Sequence, residues 1–359
     1  MTRHMFAGTL TPEGFVSFYE EILPIRETKN TIIIKGPSGS GKSTYLKKLA
    51  ADFENEGFMV EHLHCSNDAN SLDGVCIPQL RICVFDGTAP HEVDPTVPIV
   101  EQIFNTGKFV DADKVLLNRD ELISLVAEKR ALSQRAGNYL KAAYNVYRNN
   151  TQIYEGLMNK AALSKLSMKL VAGLPANSFD GIGNNRRFFA TALTPDGLIN
   201  FTNSFLSKSF SSRVYMLKAR DGMGADLILS DIQTSANKRG FDTESFFCPI
   251  KPSKIEHLTI PELRLCYTTS NRYHTLRGPV YSEINLKKFC APMNTYKGEI
   301  KFNDRLFKKL AGKTMSTMQA SRSVHERIEQ IYIHAMNFKK LDKAYQQLTL
   351  SLKKAVRGN

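Results

Sequence analysis

The feature that most restricts how this 359-residue sequence can fold is that much of it occurs twice. Phe6-Ala-Gly-Thr-Leu-Thr-Pro-Glu-Gly-Phe-Val-Ser-Phe18 returns as Phe189-Ala-Thr-Ala-Leu-Thr-Pro-Asp-Gly-Leu-Ile-Asn-Phe201, 183 positions later. The same offset, without a gap, pairs Lys35 with Lys218, Gly39 with Gly222, Gly41 with Gly224, Gly57-Phe58 with Gly240-Phe241, Ile77-Pro78 with Ile260-Pro261 and His91 with His274. A repeat of this length means two copies of one domain, each large enough to bury its own core. Gly173-Leu-Pro-Ala-Asn-Ser-Phe-Asp-Gly-Ile-Gly-Asn-Asn185 has linker composition, so the boundary falls near 182, giving domains 1–182 and 183–359.

Within the first copy, Thr31-Ile-Ile-Ile34 is a β-branched run, and Tyr45-Leu-Lys-Lys-Leu-Ala-Ala51 has helical apolar spacing. Between them, Gly36-Pro37-Ser38-Gly39-Ser40-Gly41-Lys42-Ser43-Thr44 fits G-x-x-x-x-G-K-[ST] in the strand–loop–helix setting of a phosphate-binding loop. Glycines let successive backbone N–H groups converge on one anion, and the helix N-terminus adds a favourable field. In this reading Lys42 reaches the terminal phosphates of a nucleoside triphosphate and Ser43 ligates Mg²⁺.

Strands are expected near 31–35, 58–64 and 81–85, with a helix near 42–56 and a polar connection over 65–74. Alternating strands and helices with short links predict an α/β fold, two tandem domains each with a parallel sheet flanked by helices. Thr11-Pro12 and Thr194-Pro195 fit the capped first turn of a brief helix. From Asp120 to Asn149, apolar residues three and four apart predict a long helix, broken at Asn149-Asn150 and followed by a second over 151–171. The second copy predicts helices near 303–337 and 339–356, so each domain carries a C-terminal helical hairpin.

Applied to the loop, the 183 offset places Ala219 at Gly36, Ala225 at Lys42, Asp226 at Ser43 and Thr269 at Asp86. The second copy has therefore lost the cation and the metal-side groups, and a triphosphate there would meet the Asp226 carboxylate. That contrast strengthens Asp86, which ends the apolar strand Arg81-Ile-Cys-Val-Phe85, as the carboxylate that holds Mg²⁺ opposite Ser43. Catalytic candidates are Lys42, Asp86 and Asp68. Asp68 and Asp73 compete as water-positioning residues, with a simple turn as the alternative at Asp73-Gly74. His91 has its counterpart His274 in the copy without a working loop, which favours a structural duty. A transition-state arginine stays open among Arg119, Arg130, Arg220 and Arg264. No Asn-Lys-x-Asp element argues for guanine.

The paired Thr-Pro-x-Gly openings, the Gly36–Thr44 loop, the run His64-Cys-Ser-Asn-Asp-Ala-Asn-Ser-Leu-Asp-Gly74 and the run Phe85-Asp-Gly-Thr-Ala-Pro-His91 resemble a sparsely characterised bacterial family of duplicated P-loop ATPases, best known from spore-forming Firmicutes. The resemblance spans nearly the full length and implies ATP binding. The second loop departs from better-preserved members and puts a two-site mechanism in doubt.

The charge is uneven. Residues 1–180 carry 19 Lys+Arg against 21 Asp+Glu, and residues 181–359 carry 29 against 14. The basic half suits an anionic partner, nucleic acid or acidic protein, or else a solvated helix surface. No apolar run reaches membrane-spanning length and no secretory leader opens the chain, so a cytoplasmic protein with no membrane partner is expected. The six cysteines lack a C-x-x-C pair and mostly lie in apolar runs, which argues for reduced buried thiols. The function expected is a Mg²⁺-dependent ATPase with an active first copy and an inactive second copy packed on it. The alternatives are a P-loop kinase of a small acceptor held by Asp68 or Asp73, and a nucleotide-gated binding module for nucleic acid or an acidic protein.

Overall fold

The computed structural model describes residues 2–22, 28–90, 92–176, 181–207, 210–271, 276 and 280–357. His91 and His274 lie outside them. In the first copy the strands are β1 (Thr2–Met5), β2 (Gly8–Thr11), β3 (Gly14–Ser17), β4 (Asn30–Lys35), β5 (Val60–His64), β6 (Leu72–Ile77), β7 (Ile82–Asp86) and β8 (Glu101–Asn105). Its helices are α1 (Tyr19–Ile22), α2 (Lys42–Asn55), α3 (Ala112–Leu116), α4 (Arg119–Leu157) and α5 (Lys160–Ala172). The second copy repeats the plan with β9 (Asn185–Phe188), β10 (Thr191–Thr194), β11 (Gly197–Asn200), α6 (Thr202–Leu206), β12 (Arg213–Lys218), α7 (Ala225–Lys238), β13 (Thr243–Phe247), β14 (Ile255–Ile260), β15 (Leu265–Ser270), β16 (Ser282–Asn285), α8 (Lys297–Ala335) and α9 (Phe338–Arg357).

Each copy builds a six-stranded sheet, ordered β1-β5-β6-β7-β4-β8 in the first and, mirrored, β16-β12-β15-β14-β13-β9 in the second. The sheets are mixed, not parallel as expected. β6 runs antiparallel to both β5 and β7, while the β1–β5, β4–β7 and β4–β8 pairs are parallel. The cause is the short link from Ile77 to Ile82, which leaves room for a tight return but not for a crossover. Asp73 and Gly74 thus lie inside a strand, not in a turn. Cys76 and Cys83 face each other in the β6–β7 register and are disulfide-bonded, against the expectation of reduced thiols; Cys65, Cys248, Cys266 and Cys290 are free.

The Thr-Pro-x-Gly openings are hairpin turns between β2 and β3 and between β10 and β11, not helix starts. Thr11 Oγ1 donates to the Gly14 carbonyl and accepts from the Glu13 amide, and Thr194 repeats both bonds with Gly197 and Asp196. The threonine hydroxyl closes the hairpin turn itself, so it does not cap a helix.

A pseudo-twofold axis passes between Phe6 and Phe189, whose backbones exchange two N–H···O bonds of 2.9 Å. Around it, four buried charges alternate. Arg3 reaches Glu244 at 2.5 Å and Glu61 at 3.1 Å, while Arg186 reaches Glu61 at 2.6 Å and Glu244 at 3.1 Å. Arg3 and Arg186 are equivalents under the 183 offset, as are Glu61 and Glu244.

The helical hairpins do not stay with the copy that precedes them. Leu341, Tyr345 and Leu352 of α9 join the core of the first copy beside Leu46, Leu49 and Phe53 of α2, and Tyr345 stacks on Tyr45 at 4.0 Å. In exchange, Leu163 of α5 packs into the second copy with Ile228 and Ile232 of α7. α4 and α8, each of 39 residues and roughly 58 Å long, lie antiparallel along one another, with Leu125 against Val324 and Ile328 near one end and Tyr147 against Phe307 near the other. The break expected at Asn149-Asn150 is absent. Asn150 is buried inside α4, where its amide donates to the Ile300 carbonyl and to Asp304 and accepts from Asn303. Its polar side chain is satisfied across the helix pair, which removes the reason for the helix to end.

Candidate functional site

β4 carries the loop at its carboxyl end and lies between β7 and β8, so Ile32, Ile33 and Ile34 are buried on both sides. Gly41 takes φ 74° immediately before α2, the left-handed geometry that glycine adopts without strain and that turns the chain into the helix. Tyr45, Leu46, Leu49, Ala50 and Phe53 then bury one face of α2. The strand–loop–helix expected from the sequence is present with the expected limits.

Three expected residues come together here. The buried Lys42 ammonium sits in the cradle, donating to the Gly36 carbonyl at 2.8 Å and the Pro37 carbonyl at 3.0 Å, and lies 3.5 Å from Asp86 Oδ2. Asp86 Oδ1 accepts the Thr88 amide and hydroxyl, which fixes the carboxylate at the end of β7. Ser43 Oγ accepts the Leu72 amide at 2.9 Å and keeps a second lone pair. A hydroxyl and a carboxylate fit Mg²⁺, and an ammonium beside a glycine loop fits a polyphosphate.

Asp68 is used differently. Its Oδ1 accepts the Asn70 amide and its Oδ2 the Ser71 hydroxyl at 2.6 Å, so it closes the turn before β6. Asp73 is buried beside Tyr19 and Cys65, and its negative charge helps burial push both of their pKa values up. Arg220, one of the arginine candidates, belongs to the second copy's own surroundings, where it bonds Tyr154 Oη at 2.9 Å and reaches Asp304 at 3.5 Å.

Sequence reasoning missed Thr106, which follows β8. Its buried hydroxyl lies 3.1 Å from the Lys35 carbonyl and 3.0 Å from Ser40 Oγ, holding the loop from behind. A Cβ on Gly36, where φ is 148°, would lie 1.8 Å from Thr106 Oγ1. Gly36→Ala is therefore expected to displace Thr106 and lower stability by about 1–3 kcal/mol. Urea unfolding of Gly36→Ala, Thr106→Ala and the double variant checks this: the two losses should be non-additive, because the single change at Thr106 already vacates the space.

Also missed is a lid from the second half of the chain. A Cβ on Gly39 would lie 2.8 Å from the Glu329 carbonyl of α8. Ser38 Oγ is 3.3 Å from His325 Nε2, and His325 Nδ1 is 2.8 Å from Lys129 Nζ of α4. Burial, then the neighbouring Lys129 and Lys42 cations, hold His325 down to about 4, so it is neutral at pH 7. Burial also lowers Lys129 and raises Glu329. The equivalent face of the second copy is covered in the same way by α4: a Cβ on Gly222 would lie 2.2 Å from the Thr151 carbonyl, and Asp221 bonds Thr151 and pairs with Lys254 at 2.9 Å. The signal that could have pointed to α8 is a change of register. α8 repeats α4 at 178 positions, so Glu329 corresponds to Thr151 and His325 to Tyr147.

A large cavity of about 1240 Å³ lies away from the intact loop, next to its degenerate counterpart, lined by Lys218, Arg220, Lys287, Lys297, Lys301 and Arg305 among others. It is basic and open. Among the described residues no helix is long and apolar enough to cross a membrane. Comparison with protein-family models, with curated proteins and with solved structures finds no match to this chain.

Proposed function

We propose that the chain is a Mg²⁺-dependent ATPase whose working site is the Gly36–Thr44 loop, and that it is a member of the duplicated P-loop family its sequence resembles. The observation that carries this reading is the convergence of Lys42, Ser43 and Asp86 on one glycine loop, against Ala225, Asp226 and Thr269 at the equivalent positions. Ser43 and Asp86 would hold Mg²⁺, which when bound supplies charge neutralisation at the phosphates. Lys42 would move from the loop carbonyls to the transferring phosphoryl group, and the loop amides would hold its oxygens. No carboxylate is assigned to orient the attacking water: Asp68 closes the turn before β6, and Asp73 is buried beside Tyr19 and Cys65. The α8 lid then couples an occupied loop to the second half of the chain.

Equilibrium titration with ATP, with and without Mg²⁺, together with phosphate release tests the reading. One Mg²⁺-dependent site per chain is expected, lost in Lys42→Ala. ATP binding that survives unchanged in Lys42→Ala overturns it. If ADP forms only when a small hydroxyl acceptor is added, the enzyme is the kinase instead.

The basic cavity favours one added role, capture of an anionic partner by the second copy. Binding of a fluorescent oligonucleotide is expected to weaken steeply between 50 and 200 mM salt, as it does when several phosphates are neutralised. In Lys297→Glu/Lys301→Glu that binding should fall at least tenfold; unchanged binding excludes the cavity as the contact.

A further inference from the structure

His4 of β1 and His62 and His64 of β5 lie on one face of the first sheet, with His4 opposite His62 in the parallel register and His64 two residues along. One ring nitrogen from each falls within 4.8 Å of the other two. Two of the rings have the outer partners that metal-ligating histidines characteristically have. His64 Nδ1 is 2.7 Å from the Ala69 carbonyl, and His62 Nε2 is 2.9 Å from Glu54 Oε1 at the end of α2. The third contact is a nitrogen–nitrogen pair, His4 Nδ1 to His64 Nε2 at 2.9 Å. Since Nδ1–H of His64 is committed to Ala69, its Nε2 is a lone pair aimed at His4. Phe201 of the second copy lies against this pair with its ring tilted, 4.4 Å from His64 and 5.7 Å from His4 between centroids.

We propose that His4, His62 and His64 form a binding site for a borderline divalent transition-metal ion, Zn²⁺ in the first instance. Imidazole nitrogens select such an ion over Mg²⁺, and small ring rotations would bring the three nitrogens to bonds of about 2.0–2.1 Å. The proton that His4 Nδ1 shares with His64 moves to His4 Nε2, so both nitrogens become donors without loss of a proton. Glu54 either orients His62 or supplies the fourth donor, and in both cases its charge offsets the cation.

The second copy shows that the scaffold does not require histidines here. The positions 183 further on are Arg187, Ser245, Phe247 and Asn237 in place of His4, His62, His64 and Glu54. Arg187, in place of His4, lies 4.7 Å over the Phe18 ring and pairs with Glu21, and it has no lone pair for a metal. The histidine site also lies beside the nucleotide loop: His64 anchors the segment that begins at Cys65 and ends at Leu72, whose amide holds Ser43. A bound ion would pin that segment.

The test uses the tag-free full chain, desalted and titrated with Co²⁺ alone. One equivalent is expected to bind with the visible d–d bands of a four-coordinate cobalt ion, displaced by Zn²⁺ but not by Mg²⁺, and Zn²⁺ should raise the thermal midpoint. His62→Ser and His64→Phe carry residues the same scaffold already accommodates in the second copy, so they should fold, and each is expected to lose the bands and the Zn²⁺ shift. Lys42→Ala should keep both, which separates this site from the nucleotide loop. Absence of bound Co²⁺ in the parent, or bands and stoichiometry unchanged in His64→Phe, overturns the proposal.

Discussion

In Lys42→Ala, phosphate release from Mg·ATP is expected to fall by about 10²–10³-fold, the range found when one preorganised charge-stabilising donor is removed. The ammonium is buried in the loop with two carbonyls and Asp86 as its neighbours. Among the described residues no other cation makes those contacts, and alanine cannot reach a phosphate. The second copy has already made this substitution, since Ala225 occupies the same place at the start of α7. Thermal melting should show Lys42→Ala folded, because the second copy carries alanine at the equivalent position of the same strand–loop–helix. A companion variant, Ala225→Lys, is expected to gain no ATP site: Asp226 still stands where the metal hydroxyl should be, and α4 still closes the loop at Gly222. Hydrolysis within twofold of the parent in Lys42→Ala, measured as single-turnover phosphate release, would show that the loop is not where the chemistry occurs.

The largest expected loss of stability lies at the pseudo-twofold axis. Glu61→Ala leaves two buried guanidinium groups, Arg3 and Arg186, facing the single Glu244 carboxylate. An uncompensated buried charge costs about 3–5 kcal/mol, to be measured as the change in urea midpoint at constant m-value. Since each of the four groups bonds both opposite partners, Arg3→Met/Glu61→Leu/Arg186→Met/Glu244→Leu should be far less harmful than the single change. A pH dependence follows. Burial raises Glu244, but Arg3 and Arg186 outweigh it and hold the carboxyl at about 2. Its folded value lies below the usual value near 4.3, so its contribution is complete above that value and is lost as pH falls toward 2. His64 and His325, both lowered to about 4 by burial, add stability that is lost from pH 6.5 downward. The Glu244 share is therefore read from the difference between the parent and Glu244→Gln between pH 5 and 2. Parallel slopes in that window would contradict the assignment.

Short-range pattern and repetition determined much of this molecule. The glycine loop between a β-branched run and an apolar-periodic helix fixes β4, Gly41 and α2, because backbone geometry at glycine and burial of Ile32–Ile34 depend on neighbours in the chain. The 183 offset fixed the duplication and the loss of the second loop, because equivalent positions can be compared residue by residue. The Asx turn at Asp68 is equally local, because its carboxylate bonds groups two and three residues further on.

Tertiary structure alone decided the rest. The direction of β6 depends on which strand edges are available to Leu72–Ile77, and the continuity of α4 through Asn150 depends on Asn303 and Asp304 being there to bond the amide. The exchange of hairpins sets Glu329 and His325 over a loop nearly 290 positions earlier in the chain, and the three histidines meet because β1 happens to pair with β5. Contacts of that kind arise from burial of long helix faces and from strand pairing, forces that act between distant segments and leave no periodicity in either one.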